Sequence, residues 1–191
     1  MRPIEELNEE EIDGLLSEAL VERDSRSIEE LADRHPKWTA EAVYELEPEQ
    51  MAALVDLLGA ERVASVVANL AEAQAADLLG RLPRERVADV LERMDPDDAA
   101  DVLEEFPPGE AEGILAEMED PRAEEVRELL TYPPDTAGGL MTPEFVAVRP
   151  DLSAEEAIAA IRSVAAEAET VYYVYVTDEG GRLVGVLSLR D

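Results

Sequence analysis

Apolar residues recur along the middle of this chain with a period of twelve. Leu46, Leu58, Leu70, Leu82, Met94, Phe106, Met118 and Leu130 each stand twelve positions after the last. Between these landmarks a finer pattern repeats. Val87, Val90, Leu91 and Met94 are spaced i, i+3, i+4, i+7, one apolar stripe along an α-helix, and Ala99, Val102, Leu103 and Phe106 repeat it one unit later. A fixed internal period marks a repeat architecture. Asp95-Pro96 and Asp120-Pro121 read as helix starts, aspartate as N-cap and proline at the first helical position. Each helix is then about nine residues, roughly 13–14 Å long. A helix that short is marginal alone and must bury its stripe against neighbours. Short connections allow only antiparallel neighbours, so units pair, and pairs stack into a small α-solenoid.

The flanks read differently. Met1 to about Leu20 has mixed helical spacing, interrupted by Gly14. A second helix is expected from Ser27 as N-cap, with Glu30 completing a capping box, and His35-Pro36 ends it. His35, the single histidine, reads as a surface turn residue, and Trp38 as an end cap over the first repeat helix. Seven units then run to Leu130. At Tyr132-Pro133-Pro134-Asp135 the period breaks and the prolines make a stiff corner. Beyond it, Phe145–Val148 reads as a short strand and Ser153 to about Ala166 as a helix, with Ser153 and Glu156 in capping-box relation and Ala157, Ile158 and Ile161 facing inward. Val171–Val176 is β-branched and aromatic, hence a strand. Asp178-Glu179-Gly180-Gly181 is a hairpin turn, Leu183–Leu187 the returning strand, and Ser188 the cap of a further helix. A strand–helix–strand–strand unit without its closing helix leaves one sheet face bare, so the chain reads as a piece of a longer protein.

Composition narrows the chemistry. With 46% apolar but only 4% aromatic residues, the core must be alanine, leucine and valine. There is no cysteine, so disulfides and thiolate metal sites are excluded. No run approaches the ~20 apolar residues of a transmembrane helix and no secretory signal is visible, so the chain is expected on the cytoplasmic side. The 47 acidic residues against 16 basic ones give a net charge of −31, which argues against nucleic acid as a partner. Lys37 is the lone lysine. An acidic, lysine-poor surface fits a high-salt, halophilic habitat; it also suits hard divalent cations, which prefer carboxylate oxygens. No enzyme constellation is present: one histidine, no cysteine, and glycine pairs only in turns.

Three stretches carry a family resemblance: Tyr132-Pro133-Pro134-Asp135-Thr136-Ala137-Gly138-Gly139-Leu140-Met141-Thr142-Pro143-Glu144, then Glu169–Val176, then Gly181-Arg182-Leu183-Val184-Gly185-Val186-Leu187-Ser188-Leu189-Arg190-Asp191. The Leu-Met-Thr opening and Gly-Arg-Leu-Val-Gly-Val resemble a CBS (cystathionine β-synthase type) domain. The Ala-Gly-Gly-Leu-Met-Thr lead-in resembles the MgtE family of magnesium channels and transporters, and the repeats resemble that family's N-terminal helical domain. The fold this implies is mainly α: a superhelical stack of short helices on a 12-residue repeat over residues 1–131, then a partial α/β CBS domain, its first motif truncated, over 132–191. The resemblance further implies a magnesium-sensing region that gates transport, with the remainder of the transporter (second CBS motif, connecting helix, pore) as partner, a homodimer in full-length form, and the cell membrane as its location. A stand-alone scaffold for protein contacts, without ion sensing, is the alternative.

The resemblance also supplies candidate sites. Family aspartates that help bind regulatory Mg2+ fall on Asp97 and Asp101. Their four-residue spacing puts both on one helix face, opposite Ala99, Val102 and Leu103, where both are expected to reach solvent. Their mutual repulsion of a few tenths of a kcal/mol becomes attraction once a dication lies between them. A third family carboxylate falls on Ser65. Asp77, 24 residues before Asp101, is expected on the same side of the stack as part of an acidic ridge. The competing reading is a merely solvated acidic face. ATP, the family's CBS ligand, is implied at Tyr173, Ser188, Leu189, Arg190 and Asp191; alternatively Tyr173 is a strand core residue and Ser188 only a helix cap.

Overall fold

Helices begin twelve residues apart. In the computed structural model, which describes residues 7–164 and 172–189, α3 (Pro36–Tyr44), α4 (Pro48–Leu58), α5 (Ala60–Val67), α6 (Glu72–Leu79), α7 (Arg84–Leu91), α8 (Pro96–Glu104), α9 (Pro108–Leu115) and α10 (Asp120–Leu129) keep that register. It starts one unit earlier than the apolar landmarks predict. Pro36 both closes the preceding helix, α2 (Ser25–Arg34), and opens α3.

The register has a local cause. After each helix the chain makes one more turn, held by i→i−3 bonds such as Leu82 N to Leu79 O (2.9 Å), Met94 N to Leu91 O (3.2 Å) and Phe106 N to Leu103 O (3.1 Å). One residue then takes an extended conformation, as at Pro83 (φ −57°, ψ 145°), Asp95 (φ −61°, ψ 143°) and Pro107 (φ −55°, ψ 139°), and the next helix starts. That φ is proline's own, so proline is tolerated there and at the following position. Asp95 is the N-cap of α8, as expected, but its side chain makes no capping hydrogen bond. The expectation at Asp120 is corrected: Glu119 caps α10, Asp120 is its first residue, and the Glu119 N–H donates to the Glu92 carboxylate.

In the units of α3, α6, α7 and α8 the fourth, fifth, seventh, eighth and eleventh positions are all buried. In α6 and its turn these are Ala75, Ala76, Leu78, Leu79 and Leu82; in α7, Val87, Ala88, Val90, Leu91 and Met94; in α8, Ala99, Ala100, Val102, Leu103 and Phe106. From α5 onward the helices pack on the one two units along, α5 on α7, α6 on α8, α7 on α9 and α8 on α10. Fully burying one leucine or valine is worth about 1.5–3 kcal/mol, far more than an eight-residue helix secures by itself. Arginines tie the stack laterally: Arg122 donates to Met94 O (2.6 Å) and Arg127 to Leu115 O (3.2 Å), satisfying carbonyls that the ends of the preceding helices leave open.

The first end of the stack is covered by α1 (Glu9–Glu22) and α2, whose Ile12, Leu16, Ala19, Ile28 and Leu31 join the same core. Asn8 and Glu11 make a full capping box on α1. Two expectations fail here. The cap of α2 is Asp24, which accepts from Ser27 N (3.3 Å) and Ser27 Oγ (2.6 Å), because the helix starts two residues before Ser27. Trp38 is 40% exposed and stacks on His35 (centroids 5.3 Å apart, planes 12° apart), so α1 and α2, not Trp38, close the end.

The chain divides into two compact units, residues 1–140 and 141–191. In the second, β1 (Ala147–Val148) runs parallel to β2 (Tyr173–Thr177), which pairs antiparallel with β3 (Leu183–Ser188), in the order β1-β2-β3. The helix α11 (Ala154–Val164) covers one face, with Ala160 and Ile161 against Val146, Val148 and Val174. Its Ser153–Glu156 capping box is formed (Ser153 N to Glu156 Oε2 2.8 Å, Glu156 N to Ser153 Oγ 3.3 Å). Ile158, expected inward, is 49% exposed, since the helix turns its 157, 160 and 161 side to the sheet. Val171 and the expected end of α11 near Ala166 lie outside the described residues. Ser188 ends β3 opposite Tyr173 instead of opening a helix among the described residues.

Two stability tests follow from the helical unit. Thr39 is fully buried at the fourth position of α3, where other units carry methionine, valine or alanine, and its Oγ1 has no hydrogen-bond partner. Thr39→Val keeps the shape and removes the unpaired hydroxyl, so urea denaturation followed by circular dichroism should show a gain of about 1–2 kcal/mol. Arg23 sits at φ 56°, ψ 38°, the left-handed C-cap of α1. Arg23→Gly should add about 0.5–1 kcal/mol in the same assay.

Candidate functional site

The two carboxylates on α8 are set differently from the expectation. Asp101 is exposed, as predicted. Asp97 is only half-exposed; its Oδ1 is shut off from solvent and has no hydrogen-bond partner among the described residues. The first turn of α8 is drawn into the stack, as the burial of the adjoining Pro96 shows. An ionised oxygen without a donor is costly. Its position in the first turn offsets part of that cost, because helix N-termini favour negative charge.

Asp101 carries the complementary strain. Its carboxyl is raised above the ordinary 3.8, first because packing at its base strips away water, then through the charges of Glu104, Glu72 and Asp97. Glu72 is the residue that sequence reasoning missed. It opens α6, which packs on α8, and it lines with Asp98 and Asp101 a cleft of about 50 Å³. The register held the signal: the first position of one unit meets the sixth position two units on. One unit later the same relation sets the Arg84 guanidinium over Gly113, where a β-carbon would lie 2.7 Å from Arg84 Cζ. At Glu72 and Asp101 it sets acid against acid.

Asp77 belongs elsewhere. Arg81 donates to its Oδ2 (2.7 Å) and the Tyr44 hydroxyl approaches at 3.4 Å. Arg81 also donates to Tyr44 O (3.2 Å) and Leu46 O (3.0 Å), and lies 5.3 Å from the Tyr44 ring centre. The bond from Arg81 holds the Asp77 carboxyl below its ordinary value. Its cleft, about 390 Å³, is shared with Glu105, Phe106 and Glu110 and is distinct from that of Asp101. Ser65 is exposed and donates to Glu61 O (3.1 Å). Among the described residues, no three histidine, aspartate or glutamate side chains gather closely enough to cage a metal ion.

On the second unit, Tyr173 and Ser188 stand directly opposite each other on β2 and β3, and Leu189 N donates to Tyr172 O (3.0 Å). Tyr173 is 56% exposed, so it is not a core residue. Two residues along β2, on the same face, Tyr175 meets Phe145 edge-on with ring centres 5.8 Å apart. Met141, Phe145, Tyr175 and Leu183 line an apolar groove of about 400 Å³ on this unit. Arg190 and Asp191 lie outside the described residues.

Comparison with known proteins agrees with this architecture. Residues 34–135 match the model of the MgtE intracellular N domain, and residues 137–191 that of the CBS domain. A 73-residue stretch is 59% identical to the magnesium transporter MgtE of Thermus thermophilus, covering 38% of this chain and 16% of that protein. A 69-residue stretch is 48% identical to the magnesium transporter MgtE of Enterococcus faecalis, covering 36% of this chain and 15% of that protein. The aligned stretches thus span about a sixth of the length of these curated relatives. Two solved structures share the fold. The soluble part of a magnesium transporter is 29% identical with a TM-score of 0.82, over 96% of this chain and 73% of that one. The cytosolic domain of the Mg2+ channel MgtE in complex with ATP is 38% identical with a TM-score of 0.79, over 93% of this chain and 73% of that one. The N-domain match covers more than half of the sequence and spans the helices of the twelve-residue register, so this chain belongs to the MgtE family, carrying its intracellular N domain followed by a CBS domain.

Proposed function

We propose that this chain is the magnesium-sensing regulatory region of a magnesium transporter, and that it acts by binding divalent cation at Asp97 and Asp101. The observation that carries the reading is the pair itself: an occluded Asp97 oxygen without a donor among the described residues, one turn before an Asp101 whose carboxyl is pushed up by loss of water at its base and then by surrounding acids. The donors are hard oxygens, which fits Mg2+; the ion commonly binds through one or two carboxylates and keeps several waters. Bound there, it supplies positive charge that neither acid has from an arginine or a backbone N–H. Asp97 and Asp101 hold the ion, and Glu72 adds to the field that draws it in. Asp77, already paired with Arg81, serves to anchor α6 to the end of α3. With two carboxylates the site is half of a cage. The remaining donors come from the rest of the transporter, in keeping with MgtE relatives several times longer than the stretches they share with this chain.

The mechanism is a shift between populations. Without the ion, acidic surfaces repel and the region samples open arrangements; with it, the closed arrangement is favoured by the difference in affinity between the two states. The CBS unit adds a nucleotide half-site. Tyr173 offers a ring for stacking, Ser188 a hydroxyl beside it, and Leu189, Arg190 and Asp191 complete the set. A solved relative bound to ATP supports that assignment. No side chain is asked to do covalent chemistry, so the role is regulatory rather than enzymatic.

Titrating the chain with magnesium in potassium chloride at constant ionic strength should give compaction in small-angle scattering beyond a matched monovalent control. Alanine at both Asp97 and Asp101 should remove that response. Equal curves for the parent and the double variant would favour a scaffold without sensing.

A pH test isolates Asp101. Because its carboxyl titrates above 3.8, the folded chain holds more protons than the unfolded one just above that value, and stability falls as pH rises through the window. Asp101→Asn should therefore melt higher than the parent at pH 7 without divalent cation, with the gap closing below about pH 3.8. Magnesium should raise the melting temperature of the parent more than that of the variant.

A further inference from the structure

We propose that residues 130–140 are a stiff extension of α10 that belongs to the helical unit, and that the chain pivots between its two units at Leu140–Pro143 rather than at the Pro133-Pro134 corner. The proposal rests on the fold alone and is independent of any cation site. Sequence reading places the boundary before Tyr132, because two prolines end a helix. The structure carries the hydrogen bonding past them. Leu130 N donates to Val126 O (3.0 Å), Thr131 N to Glu128 O (3.1 Å) and Tyr132 N to Leu129 O (3.0 Å), so the helical path runs up to the prolines. Proline has no N–H to lose and a fixed φ, so the corner adds stiffness. Immediately after it, Thr136 N (3.1 Å) and Thr136 Oγ1 (2.7 Å) both donate to Pro133 O. Thr136 then anchors the next turn: its Oγ1 accepts from Gly139 N (3.3 Å) and its carbonyl from Leu140 N (3.1 Å).

The two glycines lock these turns together. A β-carbon at Gly138 would run into the Tyr132 ring. One at Gly139 would run into Pro133 O and stand 2.8 Å from Pro134 Cα. The obstacle at Gly139 is backbone and has no rotamer to yield. The segment is folded on itself and onto the end of α10.

The character of the chain changes at the next peptide. Leu140 is 80% exposed. Among the described residues, no backbone hydrogen bond spans the Leu140–Met141 bond. The following local bonds, Glu144 N to Thr142 Oγ1 (3.2 Å) and Phe145 N to Pro143 O (3.1 Å), lie within the second unit. The division into units at Leu140 falls on the same point. A rotation about Leu140 and Met141, at the start of that stretch, breaks none of these bonds, whereas a rotation at Pro133-Pro134 breaks the Thr136 turns and lifts Gly139 from the proline backbone. Displacement of the helical stack is thereby passed undamped to Leu140.

Amide hydrogen exchange on the full chain tests this. The Thr136 and Leu140 amides should exchange at least about tenfold more slowly than the Met141 amide, because opening them requires local unfolding. Limited digestion with a protease of broad specificity should cut first within residues 140–142. Gly139→Ala, which forces the turn off the proline backbone, should speed exchange at Thr136 and Leu140 at least tenfold and spread cuts into 135–138, with helix content by circular dichroism unchanged. Exchange at Thr136 and Leu140 as fast as at Met141 in the parent chain would overturn the proposal. So would a Gly139→Ala chain with the parent's exchange pattern. Should that variant fail to fold, the parent's exchange pattern alone decides.

Discussion

Helices of eight to eleven residues do not hold themselves together, and everything else in this chain follows from how they are made to. A helix of that length closes only a handful of hydrogen bonds after a costly nucleus. Each one here survives because neighbours cover its apolar side, in the middle of the stack the helices two units before and after it. Burial at up to five of every twelve positions turns a set of unstable segments into one continuous core from Ile12 to Leu129. Stability in such a stack is close to a sum of neighbour terms, so it can be lost or gained one interface at a time. The caps at its ends matter in proportion, which is the part played by α1 and α2.

The same arrangement decides where charge can go. Positions not spent on the core face solvent, and in a chain of net charge −31 their acidic residues far outnumber their basic ones. Where an arginine is available the repeat uses it structurally, as Arg81 does on the carbonyls of Tyr44 and Leu46 at the end of α3 and Arg122 on that of Met94 in the turn after α7. Surface ion pairs contribute little to stability on their own. Where the register brings acid to acid, at Glu72 and Asp101, burial at the base of Asp101 and then its acidic neighbours raise its carboxyl. The contrast with Arg84 over Gly113 in the next unit is instructive: identical geometry, opposite charge. The cation response proposed above calls for such a spot, strained when empty of positive charge and embedded in a scaffold that does not collapse to relieve it. The stack provides this because the positions of its carboxylates are dictated by apolar packing beneath them.

The CBS unit follows a different rule. Its small core of Val146, Val148 and Val174 is sealed by α11 on one face, while Leu183, Val184, Val186 and Leu187 of β3 remain largely exposed. Tyr173 and Ser188 share the uncovered side through their cross-strand register, a pairing that the hairpin at Asp178–Gly181 sets. Proximity of that kind is a property of sheet register and owes nothing to the helical repeat.

Periodicity alone determined the helical class, the unit length and the identity of the buried stripe, because an apolar side chain at the wrong one of twelve positions has nowhere to be buried. The hairpin, β2 and the Ser153–Glu156 box were equally legible, since turn and cap chemistry is local. The first repeat was not. Thr39 and Trp38 interrupt its stripe, and only the tertiary stack shows α3 in register. Nor could spacing tell that Asp97 is half-sunk while Asp101 is free to solvent, or that Asp77 is tied to Arg81 and Tyr44. Side-chain direction along one helix is a matter of sequence. What stands opposite that side chain depends on neighbours 29 to 37 residues away, and only the packing of one helix on another decides it.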